Sequence, residues 1–75
     1  MNDVNNEEKK LREKIVKEPN DINAWIDLGY ILSEKGNYEE AERAFKKVLD
    51  ISTSNIFALY ALGYLYYTTK KLSDA

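Results

Sequence analysis

Apolar residues recur at intervals of three and four along most of this chain, a spacing that places them on one face of an α-helix. The clearest run carries Trp25, Leu28 and Leu32 among polar residues. A thinner apolar stripe of the same period extends over residues 3–17, and a denser one extends over residues 38–51. This pattern predicts a series of amphipathic helices.

Residues that typically start or end helices mark the boundaries between these predicted helices. Pro19, the single proline, disfavours helical geometry at the residue before it, and Gly36 suits the left-handed conformation that often ends a helix. Asn37 and Glu40 have the spacing of a reciprocal capping box. Side chains able to cap the helix that follows are Asn20 or Asp21, Asn37, and Asn55. We predict helices over residues 3–17, 22–35, 38–51 and 56–69, then a turn and the start of a further helix.

The fourth predicted helix is apolar almost all round, which is typical of a helix that is buried on most sides. The helix that would cover one of these sides is not complete in this sequence. An exposed apolar patch of this kind usually marks an interface. We therefore expect a self-association surface formed by Leu59, Leu62, Tyr66 and Leu72.

The sequence also repeats itself with a period of 34 residues. Identical residues at this spacing are Ile22 and Ile56, Ala24 and Ala58, Leu28 and Leu62, Gly29 and Gly63, Tyr30 and Tyr64, and Ala41 and Ala75. Trp25 matches Leu59, so both copies hold a large apolar residue there. A fixed period of this length is typical of proteins built from stacked helical repeats.

These residues resemble the tetratricopeptide repeat family, whose pattern is W-x2-L-G-x2-Y, then A-x3-F, then P. The first copy holds Trp25, Leu28, Gly29 and Leu32, then Ala41 and Phe45. The second copy holds Leu59, Leu62, Gly63 and Tyr66, then Ala75. Thr53 stands in the place of the final proline, whereas Pro19 occupies that place one period earlier.

The resemblance implies an all-α fold of antiparallel helix-turn-helix repeats, a fragment of a right-handed solenoid with about four helices. It implies one domain over residues 1–75, with a degenerate preceding helix at 1–18, a full repeat at 22–55 and a truncated second repeat at 56–75. We expect the small residues Gly29 and Ala41 to let the two helices of the full repeat approach closely. The space between these helices should be filled by Trp25, Leu28, Phe45 and Val48.

In this family the first helix of each pair lines a concave face that usually binds peptides. The concave residues implied here are Asn23, Ile26, Tyr30, Ser33, Phe57, Tyr60, Tyr64 and Tyr67. One branch of the family grips the carboxylate ends of chaperone tails with Lys, Arg and Asn, but only Asn23 offers such chemistry here. We therefore expect a non-catalytic protein–protein interaction module or scaffold that binds a peptide through an aromatic face. The other interpretation is that these tyrosines pack against neighbouring helices.

A self-assembling structural module is the alternative function. Two explanations of the uncovered fourth helix stay open: the chain is a piece of a longer array, or two copies dock their fourth helices as a homodimer with twofold symmetry. Self-association fits both explanations, because the same surface drives it. The first measurement is the molar mass in solution: a dimer would make the fourth helix an interface, and a monomer would make the concave tyrosines the leading binding site.

The amino-acid composition argues against several other classes of function. The 75 residues contain neither cysteine nor histidine, which excludes disulfides, zinc sites built from Cys and His, and His-based catalysis, and we expect no metal and no cofactor. The acids at Glu39, Glu40 and Glu42 fit the electrostatics of a helix start better than catalysis. The net charge of −2 and the lysines interleaved with acids argue against nucleic acid as a partner.

The chain also shows no sign of a membrane or secretory segment. No apolar run approaches the roughly 18 residues of a membrane span, and the polar, acidic start does not resemble a signal peptide. The absence of cysteine fits a reducing compartment, and we expect a cytoplasmic protein.

Overall fold

Four α-helices make up most of the chain in a computed structural model, which describes the backbone of residues 3–74 and the side chains of residues 6–70. The helices are α1 (Asp3–Lys17), α2 (Ile22–Glu34), α3 (Tyr38–Ile51) and α4 (Ile56–Asp74). Each helix packs against the next, and α2 also touches α4. The Cα atoms span 39 × 36 × 14 Å, so the helices form a thin layer.

Two side chains cap helices at positions that are one period apart. The Asp21 carboxylate accepts a hydrogen bond from the Ala24 N–H at 3.1 Å, at the start of α2. The Asn55 side-chain oxygen accepts one from the Ala58 N–H at 3.0 Å, at the start of α4. Both bonds satisfy a backbone donor that the helix itself leaves unpaired. The same local chemistry thus begins the first helix of each repeat.

The turn between α2 and α3 depends on Gly36, which has a φ of +84°. Next to it, the Asn37 N–H donates to the Leu32 carbonyl at 2.9 Å, which closes the helix end. The predicted capping box is wrong, because the Asn37 side chain makes no capping hydrogen bond. Glu40 instead accepts a hydrogen bond from Arg12 on α1 at 2.9 Å, so its carboxylate is used to join two helices.

The end of α4 also differs from the prediction. A turn was expected after residue 69, but α4 continues to Asp74. One period after Gly36 the chain holds Lys70, and a lysine adopts a positive φ only at a steric cost. With no glycine or proline near residue 70, the helix has no reason to stop there.

The core lies between the two helices of the full repeat and the inner side of α4. Its buried apolar side chains are Leu28, Leu32, Ala41, Phe45, Val48, Ala58, Ala61, Leu62 and Leu65. Phe45 is fully buried, and a Cβ built on Gly29 would lie only 2.6 Å from its ring. The predicted close approach at Gly29 is therefore present. Trp25 is half-buried at the edge of this core, where its indole N–H donates to the Pro19 carbonyl at 2.7 Å.

Helix α1 joins the repeat through a few apolar contacts and a set of ion pairs. Leu11 and Ile15 pack against the core. Glu8 pairs with Arg12 at 2.9 Å and with Lys35, at the end of α2, at 2.6 Å. The hydrogen bond from Lys35, followed by that from Arg12, lowers the pKa of Glu8. Most of these side chains are partly exposed, so the ion pairs orient α1 more than they stabilise it.

Candidate protein-binding surfaces

A groove of about 370 Å³ runs between α2 and α4 on one side of the layer. We call it the α2–α4 groove, and its lining consists of Tyr30, Ser33, Glu34, Phe45, Tyr60, Ala61 and Tyr64. Phe45 forms the floor, since it is fully buried. The Tyr30 ring meets the Phe45 ring edge-on, with centroids 5.4 Å apart and planes at 71°. This is a favourable aromatic geometry that holds one wall of the groove against the core.

The walls of the groove are exposed aromatic rings. Tyr30 is 44% exposed, Tyr64 is 60% exposed and Tyr60 is 76% exposed. Tyr30 and Tyr64 stand at the same position of two successive repeats, so stacking of the repeats brings them to the same face. Large exposed apolar surfaces of this kind usually mark a site of protein interaction.

A second uncovered surface lies on α4, beside the residues that line the groove. Gly63 has open space where a Cβ would stand, whereas Gly29, one period earlier, meets Phe45 of α3. Leu59 and Tyr66 are 53% and 49% exposed. We call Ile56, Leu59, Gly63 and Tyr66 the open face of α4. On α2 the matching face is covered by α3, but within the described residues no helix covers it on α4.

The comparison with known families agrees with this repeat geometry. A family model described as TPR repeat matches residues 29–70, more than half of the chain. The chain belongs to the tetratricopeptide repeat family. No curated protein and no solved structure matches the chain. Tetratricopeptide repeats generally mediate protein–protein interaction and are not catalytic modules, which confirms the coarse function predicted from the sequence.

The groove brings together half of the concave residues that the tetratricopeptide resemblance implied, namely Tyr30, Ser33, Tyr60 and Tyr64. The other four do not line it. Asn23, Phe57 and Tyr67 lie elsewhere on α2 and α4, and Ile26 is partly buried against the core. Whether any of the eight residues contacts a partner stays a prediction.

Glu34 lines the groove, although it is not among the concave residues that the family resemblance implied. The available signal was its position four residues after Tyr30, which puts both side chains on the same side of α2. The family pattern assigns no role to this position, so the predicted concave face did not include the Glu34 carboxylate. Glu34 is the one carboxylate in the groove lining.

The structure corrects part of the expected self-association surface. Leu62 is only 7% exposed, because it lies in the core cluster where α4 packs against α3 and α2. Tyr66 is exposed, but its hydroxyl donates to Glu42 on α3 at 3.1 Å. Leu59 remains exposed, and the side chain of Leu72 lies outside the described residues.

A larger cavity of about 640 Å³ lies between the first turn of α3 and the second half of α4. The sequence pattern does not predict this cavity. Its lining includes the acids Glu39, Glu40 and Glu42, but Glu40 is held by Arg12 and Glu42 by Lys46. The hydrogen bond from Lys46, and then that from Tyr66, lowers the pKa of Glu42. Two of these three acids already form ion pairs with neighbouring side chains. They are therefore less available to a partner than the side chains of the α2–α4 groove.

Among the described residues, no three His, Cys, Asp or Glu side chains lie close enough to hold a metal ion. Within these described residues, every helix is too short or too polar to cross a bilayer.

Proposed function

We propose that this chain is a non-catalytic binding module that anchors a segment of a partner protein in the α2–α4 groove. One observation carries the proposal: three exposed tyrosines from two successive repeats line a single groove whose floor is Phe45. A volume of about 370 Å³ is enough for one or two side chains of a partner, but not for a whole folded element.

Tyrosine suits this role for two physical reasons. A tyrosine ring offers a large contact area while its side chain loses little conformational entropy, and its hydroxyl can bond to a partner's backbone. The edge-on contact with Phe45 already holds the Tyr30 ring in place. A surface that is ordered before binding gives up less free energy when the partner arrives.

The experiment begins with peptides selected from a displayed random library on the wild-type chain. Their affinities are then measured for Tyr60→Ser combined with Tyr64→Ser. Because both rings are exposed, the variant should keep its helix content by circular dichroism and lose most of its affinity. Leu59→Ser, which removes an exposed apolar side chain outside the groove, is the control and should bind as wild type does. Unchanged affinity of the double variant would refute the groove as the site.

The second candidate function is self-association through the open face of α4. The specific observation is the contrast between Gly29, which is filled by Phe45, and Gly63, which is open. Two α4 helices related by a twofold axis near Gly63 could approach closely there, with Leu59 of each copy beside Tyr66 of the other. Such a dimer would cover the apolar residues that α4 leaves exposed.

A head-to-tail arrangement, in which α1 of one copy packs on α4 of another, would cover the open face of α4 less well than this dimer. The buried residues of α3 include Ala41, Ala44 and Val48. One period earlier, α1 holds Glu7, Lys10 and Lys14. All three of these α1 side chains are exposed and charged. The outer side of α1 therefore resembles the polar end of a repeat array and would not match an apolar helix.

Sedimentation equilibrium over a hundredfold dilution tests this candidate. The wild-type chain should show a dimer that dissociates on dilution, and Leu59→Glu should shift it to the monomer. Asn20→Glu, at an exposed position between α1 and α2, adds the same single negative charge and is the control. A wild-type chain that is monomeric at every concentration would rule the dimer out.

A further inference from the structure

The α2–α4 groove contains a carboxylate that no cation of the described chain neutralises. Glu34 is exposed and lies in the same lining as Tyr30, Tyr60 and Tyr64. Among the side chains of residues 6–70, Glu34 takes part in no ion pair. The α4 wall cannot neutralise it either, because residues 56–69 include no charged side chain. Any occupant of the groove therefore meets tyrosine rings and one free negative charge.

The tyrosine rings and the Glu34 carboxylate together favour an occupant with a positive charge. The face of a tyrosine ring carries a negative quadrupole that attracts cations. A purely apolar side chain would bury part of the Glu34 carboxylate without a hydrogen bond, which opposes binding. An acidic side chain would be repelled by the same carboxylate. A cationic side chain alone satisfies both the rings and the acid.

We infer that the α2–α4 groove binds an arginine side chain of the partner protein, with its guanidinium group against the tyrosine rings and paired with Glu34. This inference rests on the proposed function, and it names the chemistry that the groove recognises. Arginine fits better than lysine, because its planar group stacks on aromatic rings and donates two parallel hydrogen bonds to a carboxylate. The Ser33 hydroxyl in the same lining can accept a further N–H bond.

Two matched peptides test the inference on the whole chain. Both are capped helical peptides with leucines on one face. One carries a single central arginine, and the other carries citrulline at that place. Citrulline keeps the shape of arginine and removes its charge. Binding is followed through the aromatic resonances of Tyr30, Tyr60 and Tyr64 at low salt, where the contribution of an exposed charge is largest.

The arginine peptide should shift these resonances and bind about fivefold more tightly than the citrulline peptide. Glu34→Gln should remove most of that difference, whereas Glu13→Gln, an exposed glutamate on α1 outside the groove, should preserve it. Equal affinity of the two peptides, or a difference that survives Glu34→Gln, would overturn the inference and leave the groove as a binding site. If neither peptide shifts the tyrosine resonances, the inference and the groove proposal both fail.

Discussion

The ring of Phe45 lies against the backbone of Gly29, so closely that a Cβ on residue 29 would stand 2.6–2.9 Å from three ring atoms. Gly63, at the same position of the second repeat, has no packing neighbour within 4 Å of the place that a Cβ would take. The same residue type therefore has two different roles. Gly29 makes room for the second helix of a repeat, whereas Gly63 marks the place on α4 where such a helix would fit.

The two glycines should respond oppositely to alanine. Gly29→Ala forces a methyl group into a ring that is fully buried and cannot move away cheaply, so we expect a net loss of about 1 kcal/mol in the free energy of unfolding. Gly63→Ala should gain about 0.5–1 kcal/mol, because alanine favours the helix and meets open space. Urea titrations followed by the fluorescence of Trp25 measure both changes. A stable Gly29→Ala would show that the ring has more freedom than the packing indicates.

The N-terminal caps of α2 and α4 give a second prediction. Asn55→Ala removes the hydrogen bond to the Ala58 N–H and should cost about 1 kcal/mol of stability. Asp21→Ala should change stability in the same direction, since it removes the equivalent bond to Ala24. Asn37→Ala is the matched control, because the Asn37 side chain makes no capping bond. In thermal unfolding followed by circular dichroism, Asn37→Ala should have a clearly higher melting temperature than Asn55→Ala. Equal losses of melting temperature would contradict the assignment of the caps.

The ion pairs of Glu8 predict how stability depends on pH. Hydrogen bonds from Lys35 and Arg12 lower the pKa of Glu8 in the folded state below its ordinary, unfolded value. The folded protein thus binds fewer protons, so this stabilising contribution is complete above the unfolded pKa and is lost as the pH falls through the folded pKa. Glu42 and Asp21 have lowered pKa values too and act in the same direction.

Glu8→Gln should therefore reduce the loss of stability between neutral and acid pH. The measurement is the urea midpoint at a series of pH values from about 7 to 3. Glu13→Gln, an exposed glutamate on the same helix, controls for the removal of one negative charge. An identical pH profile for Glu8→Gln and wild type would mean that the pairs with Lys35 and Arg12 do not hold in solution.

The predicted helix ends are accurate where the residue that ends the helix restricts its own backbone. Pro19 and Gly36 restrict the backbone themselves, so the predicted ends of α1 and α2 lie within one residue of those observed. The end of α4 was missed because the prediction assumed a turn one period after Gly36, although Lys70 stands there. The misplacement of Leu62 has a tertiary cause. Two sides of α4 are equally apolar in sequence, and only packing against α3 decides which of them is buried.

The missing stop signal can be restored in the second repeat. Lys70→Gly combined with Lys71→Asn copies the Gly36–Asn37 pair of the first repeat. Glycine at residue 70 should adopt the positive φ that ends α2, so the helical carbon chemical shifts should disappear from residue 71 onward. Lys70→Ala is the control and should leave α4 as long as in wild type. Continued helical shifts in the double variant would mean that contacts other than the turn residues set the length of α4.

The open face of α4 supplies the last prediction, in which two measurements move in opposite directions. Gly63→Gln places a polar side chain with good helix propensity at a position that is open in the single chain. The monomer should therefore become more stable to urea at high dilution. Two α4 helices could no longer approach closely at residue 63, so dimerisation should weaken in sedimentation equilibrium. A dimer that keeps its affinity in Gly63→Gln would place the contact elsewhere, and the next surface to vary would then be the tyrosines of the α2–α4 groove.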